Sequence, residues 1–61
     1  MMTEQAIKEL EDKYDERAAA YKQDAKEFLE SEDYYNAIAC LVMAIGFKEA
    51  RITLRLVRLE V

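Results

Sequence analysis

The 61-residue chain contains no histidine, no proline and no tryptophan, and it has one cysteine and one glycine. Without histidine, the commonest nitrogen ligand of zinc, copper and non-haem iron is missing, and a lone Cys40 cannot form a disulfide within the chain. With Gly46 as its only glycine, the backbone has few residues that force it to bend. These absences exclude a disulfide-stapled fold and predict long helices.

Catalytic motifs are also missing. There is no glycine-rich phosphate loop, and no serine or cysteine nucleophile stands at a recognisable spacing from a base. The acidic residues at positions 9, 12, 16, 27 and 30 fall on outward faces by the helical count. Metal sites in helical bundles instead use inward-facing carboxylates together with histidine. We therefore expect no enzyme activity, no cofactor and no bound metal.

The longest apolar run, residues 37–47, lies in a chain with a net charge of −4. This run is about half of the ~20 residues needed to cross a bilayer, and the acidic N-terminal part lacks the basic segment of a signal peptide. A single thiol within an apolar run is typical of a buried side chain in a reducing compartment. The sequence thus predicts a cytoplasmic protein that does not enter a membrane.

Residues 31–33, Ser-Glu-Asp, form the one plausible turn of the chain. Thr3 and Asp33 can each accept hydrogen bonds from the free amide groups at the start of a helix. We predict a single all-α domain over residues 1–61, folded as an antiparallel helical hairpin. Helix 1 is expected at about residues 4–31 and helix 2 at about residues 34–60.

Helix 1 carries one narrow apolar stripe, whose members recur at steps of three and four residues as in a coiled-coil seam. The stripe consists of Ile7, Leu10, Tyr14, Ala18, Tyr21, Ala25 and Phe28. Because the other faces of helix 1 are charged and therefore typical of a solvated surface, this helix is expected to pack through a single face.

Helix 2 is apolar on two faces. The first face holds Tyr34, Ile38, Leu41, Val42, Ile45, Ile52, Leu56 and Leu59. The second face holds Ala39, Met43, Gly46, Phe47, Ala50, Leu54, Val57 and Val61. Two apolar faces need cover on two sides, which one partner helix cannot supply. We assign one face to helix 1 and the other to a neighbouring chain, and the helical count alone leaves open which face does which.

We predict a homodimeric four-helix bundle whose oligomer interface is the second face of helix 2. Small side chains cluster there, and they would let another backbone come close to Gly46. A glycine inside a helix costs roughly 0.5–1 kcal/mol relative to alanine, which favours a packing role for this residue. Two alternatives stay open: a kink or a break in helix 2 at Gly46, and a strand over residues 52–56, where apolar and polar residues alternate.

The charges divide between the two halves of the chain. Residues 1–33 hold eleven acidic and five basic residues, whereas residues 34–61 hold four basic and two acidic ones. The four bases form a band on helix 2: Lys48, Arg51, Arg55 and Arg58. In a hairpin this basic band comes close to Glu9, Asp12 or Glu16, and such pairs select orientation more than they add stability. A phosphate-contacting role in nucleic-acid binding is the alternative use of the band.

Two stretches of the sequence, residues 24–37 (DAKEFLESEDYYNA) and residues 44–50 (AIGFKEA), resemble a short archaeal helical-bundle family, number 357 of the domains of unknown function. The resemblance covers about residues 20–56 and implies a small up-and-down bundle from an archaeal cytoplasm, with no activity attached. The chain departs from the family pattern at Met43 and Arg51. The resemblance also leaves open a separate N-terminal helix, with a break between Lys13 and Ala18.

The function that these features favour is a protein–protein interaction or oligomerisation module, with a second copy of the chain as the partner. A nucleic-acid-associated accessory protein that uses the basic band is the alternative. A subunit of a larger hetero-complex would use the same apolar face with a different partner.

Overall fold

The computed structural model describes the backbone of residues 3–60 and the side chains of residues 3–57. Helix α1 spans Glu4–Glu30 and helix α2 spans Tyr34–Glu60, and the two pack against each other as an antiparallel hairpin. The predicted all-α hairpin is therefore confirmed. Helix α1 runs without a break through residues 13–18, and α2 is helical at Gly46 and over residues 52–56, so the three-helix, broken-helix and strand alternatives are wrong.

Local side-chain chemistry explains where each helix begins. The Ala6 amide donates to Thr3 Oγ1 at 3.1 Å, which caps α1. At the start of α2 the Asn36 amide donates to Asp33 Oδ1 at 3.3 Å, and the Asn36 side-chain amide donates to Asp33 Oδ2 at 2.7 Å. Both caps satisfy amide groups that a helix cannot pair within itself.

Helix α1 ends in a Schellman motif. The Glu32 amide donates to the Leu29 carbonyl at 3.1 Å, and the Asp33 amide donates to the Phe28 carbonyl at 2.8 Å. These are the two hydrogen bonds of that motif, in which the residue after the helix C-cap takes the left-handed conformation and is usually glycine. Here Glu32 takes that conformation with φ of 60°. The chain therefore reverses direction at this turn without a glycine.

The two helices meet along an inner seam with the three-four spacing of a coiled coil. On α1 the inner seam consists of Ile7, Glu11, Tyr14, Ala18, Tyr21, Ala25 and Phe28, all buried or half-buried. On α2 it consists of Ala37, Cys40, Ala44, Phe47, Arg51 and Leu54, also buried or half-buried. The predicted stripe of helix 1 is thus confirmed except at one position, where the buried residue is Glu11 and Leu10 lies half-buried beside it.

Small side chains dominate this seam. Ala18, Ala25, Ala37 and Ala44 are all at most 5% exposed, and among the described residues no large side chain is fully buried. Alanine lets two helices approach closely but removes little apolar area from water, and burial of apolar area is the main source of stability. The hairpin therefore has a tight but thin core.

The hairpin forms a flat layer one helix thick. Its principal extents are 45 × 17 × 10 Å, and 10 Å is about the diameter of a single helix with its side chains. The radius of gyration is 14.1 Å, whereas a compact domain of this length has a value of about 10.5 Å. Both broad faces of the layer are consequently open to a partner.

Gly46 has no neighbour that requires a glycine within the hairpin, since an added Cβ would meet no atom within 4 Å. We therefore expect Gly46→Ala to raise the free energy of unfolding by about 0.5–1 kcal/mol, through helix propensity alone. Thermal unfolding followed by circular dichroism at fixed protein concentration measures this change as a rise of a few degrees in Tm.

The matched control for this substitution is Ala39→Gly, one heptad earlier on the same exposed side of α2. It is expected to lower the free energy of unfolding by a similar amount. A lower Tm for Gly46→Ala would contradict the prediction, and would indicate that another chain packs closely against Gly46.

Candidate interaction surface

An exposed apolar stripe runs along α2, separate from the inner seam. This outer stripe consists of Ile38, Val42, Ile45, Glu49, Ile52 and Leu56, spaced by four, three, four, three and four residues. Its five apolar members are 54–62% exposed. Tyr34 and Leu41 border the stripe and are 59% and 40% exposed. The outer stripe is the largest group of exposed apolar side chains on the described part of the hairpin, and it has heptad spacing of its own.

A cluster of charged side chains adjoins the outer stripe where α2 passes the start of α1. The Arg55 Nε donates to Glu11 Oε2 at 2.8 Å, and Arg55 Nη2 lies 2.7 Å from the same oxygen. Arg51 Nε lies 3.4 Å from Asp15 Oδ1 and 3.9 Å from Glu11 Oε2. Two arginines therefore converge on one carboxylate that is only 5% exposed.

Glu11 is the member of this cluster whose burial requires partners. A buried carboxylate without an opposite charge costs several kcal/mol, and Arg55 offsets that cost through charge and a hydrogen bond, whereas Arg51 contributes charge alone. Arg51 and Arg55 keep 43% and 58% of their side chains exposed, although the Nε atom of Arg51 is buried without a hydrogen-bond partner. The charged cluster therefore belongs to the packing of α1 against α2, and it differs from an ion pair between two fully exposed side chains.

The charged cluster and the outer stripe share one open cleft. It is lined by Glu11, Arg51, Ile52, Arg55 and Leu56. The aliphatic parts of the arginine side chains can cover apolar surface while their heads stay with the acid. A partner that covers Ile52 and Leu56 would therefore also contact the edge of the charged cluster.

A family model described as "Protein of unknown function (DUF357)" matches residues 1–57. The chain belongs to the DUF357 family. The match takes in α1, the turn and α2 as far as the last described side chain, so the inner seam, the outer stripe and the charged cluster all lie within the family's domain. The resemblance expected from residues 20–56 is confirmed over a longer range, and the family description carries no activity.

No curated protein and no solved structure matches this DUF357 chain significantly. Within the described residues, neither helix has an apolar stretch long enough to cross a membrane.

The structure divides the predicted oligomer interface of this DUF357 protein. Phe47 lies in the inner seam, where its ring centroid is 6.1 Å from that of Tyr14 and 5.8 Å from that of Tyr21. Ala50 and Leu54 are half-buried on the side toward α1. The exposed members are Ala39, Met43, Gly46 and Val57, and Val61 lies outside the described residues. As an interface, this residue set remains a prediction.

The basic band is partly paired within the chain. Arg51 and Arg55 contact the acids of α1, whereas Lys48 is exposed and the side chain of Arg58 lies outside the described residues. Pairing with α1 agrees with the expectation from the charge asymmetry, but the partners are Glu11 and Asp15 rather than the three acids named from the sequence. Because two of its guanidinium groups face carboxylates, the band has less charge to offer to phosphates.

Glu11 is the residue of the candidate site that the sequence pattern did not predict. The hydrophobic pattern favoured Leu10, since a glutamate is rarely buried. A different signal was present: Glu11, Ala18 and Ala25 recur every seven residues on α1, and Ala37, Ala44 and Arg51 do the same on α2. In an antiparallel hairpin these two rows face each other, which brings the acid that begins one row to the arginine that ends the other.

Proposed function

We propose that this DUF357 protein is a self-association module, a homodimer in which two hairpins pack through their outer stripes into a four-helix bundle. The observation that carries the proposal is the exposure of five large aliphatic side chains in one heptad stripe of a layer one helix thick. A contiguous exposed apolar stripe of this kind marks an interaction surface on soluble proteins.

The total surface area leaves room for an interface of standard size on the hairpin. The hairpin exposes 4925 Å², whereas a compact monomer of 7.1 kDa exposes about 4,100 Å². The surplus of about 800 Å² equals what one partner buries in a standard protein–protein interface. Covering one broad face of the layer would remove about this much surface.

The spacing of the outer stripe supports a second copy as that partner. Read from Ile38 or from Leu56, the steps between its members are four, three, four, three and four residues. Because the spacing is the same in both directions, a second copy in antiparallel orientation can bring each member of its stripe level with a member of the first, as in a two-fold interface between identical chains.

Sedimentation velocity over a range of concentrations tests the proposed dimer. We expect a mass of twice 7.1 kDa at micromolar concentration, with dissociation on dilution. Circular dichroism on the same samples reports whether the helices persist as the dimer dissociates. A folded monomer at tens of micromolar, with its helix content intact, would contradict the proposal.

A further inference from the structure

Glu49 is the one charged residue in the outer stripe. It is exposed, and it lies between Ile45 and Ile52. Its carboxylate thus lies near the middle of a surface that is otherwise aliphatic, and its placement distinguishes the two ways in which a second copy can dock.

In a parallel pair of α2 helices, a two-fold axis along the helices would set each residue of the stripe against its own copy. Glu49 would then face Glu49 of the other chain between two layers of isoleucine. Like charges brought together and removed from water are strongly unfavourable. The parallel arrangement would therefore bury two like charges near the middle of the interface.

In an antiparallel pair, full overlap of the two stripes places the two-fold axis near residue 47. Ile38 then faces Leu56 of the other copy, and Val42 faces Ile52. Glu49 lies level with Ile45 of the other copy, so the two Glu49 carboxylates lie four residues, about 6 Å, apart along the helix axis. Neither acid faces its own copy, and the aliphatic pairs at both ends of the stripe stay intact.

We propose that the partner on the outer stripe is a second copy in antiparallel orientation, with α2 facing α2 about a centre near residue 47. This inference rests on the proposed self-association. It adds the direction of the partner helix and the register in which the two stripes overlap.

Distances between spin labels test the orientation. In a Cys40→Ala background, Tyr35→Cys carries a nitroxide at a site that is 83% exposed, near the start of α2. In the antiparallel dimer the two labels lie at opposite ends, about 24 residues or about 36 Å apart. In a parallel dimer they lie on neighbouring helices about 10 Å apart, which broadens the continuous-wave spectrum.

The possible results separate the orientation from the self-association. A separation of about 36 Å supports the antiparallel dimer. A short separation overturns the orientation and leaves the dimer in place. The absence of dipolar coupling at concentrations where sedimentation finds no dimer overturns both.

Cross-linking provides a second test that does not depend on a label at residue 35. Proteins with Ile38→Cys alone and with Leu56→Cys alone, both in the Cys40→Ala background, are mixed in equal amounts and oxidised. We expect the main disulfide product to join residue 38 of one chain to residue 56 of the other. Products that join 38 to 38 and 56 to 56 instead would overturn the antiparallel orientation.

Discussion

Ile45→Glu is expected to convert the dimer into a folded monomer. About half of this side chain remains to be buried, which is worth about 1 kcal/mol in each copy, and the new glutamate, level with Glu49 of the other copy, adds the cost of bringing two carboxylates together away from water. Because a two-fold interface contains the residue twice, the total loss is about 3–4 kcal/mol. The Kd of the dimer should therefore rise by about 100-fold to 1,000-fold, as measured by sedimentation equilibrium.

The matched control is Met43→Glu. Met43 is 44% exposed and lies on the other exposed side of α2, within the oligomer interface that was predicted from the sequence. The chemical change is the same, yet we expect the Kd to change by less than about threefold. The reverse outcome, with Met43→Glu monomeric and Ile45→Glu dimeric, would move the interface to the second face of helix 2.

The helices and their turn were predictable because short-range chemistry determines them. Thr3 and Asp33 are side chains that cap helices, and the turn between the helices lies where the apolar spacing is interrupted. The end of α1 was less predictable, since a glutamate rather than a glycine takes the left-handed position at residue 32. Local rules thus give the two elements to within about a residue.

The sequence predicted that α2 has an apolar face not covered by α1, but it did not predict which residues form that face. On α2, apolar residues cover most of the circumference, and Phe47 belongs to the second face in the helical count yet packs between Tyr14 and Tyr21. Helix α1 packs against the side of α2 that carries the small residues Ala37 and Ala44. A prediction from hydrophobicity ranks these alanines below isoleucine and leucine. The alanines allow the closest approach of the helices, and the larger aliphatic residues stay on the outside.

The charged cluster provides the prediction with the largest expected effect on folding. In Glu11→Lys a third cation would meet Arg51 and Arg55 at a position that is 5% exposed. Loss of a partnered buried acid costs about 3–5 kcal/mol when its partners are buried as well, and the partial exposure of both arginines reduces that loss. The repulsion between like charges adds to it, so we expect a total of about 3 kcal/mol.

The expected readout for Glu11→Lys is a fall in Tm of 10 °C or more, given about 4–8 °C per kcal/mol for a chain of this size. Glu11→Gln keeps the shape and removes only the charge, and it should lie between Glu11→Lys and the unsubstituted protein. The matched control is Glu16→Lys, an equal charge reversal at an exposed position of α1, with an expected change within about 0.5 kcal/mol. Equal Tm values for the two reversals would show that the packing of α1 against α2 does not depend on the buried acid.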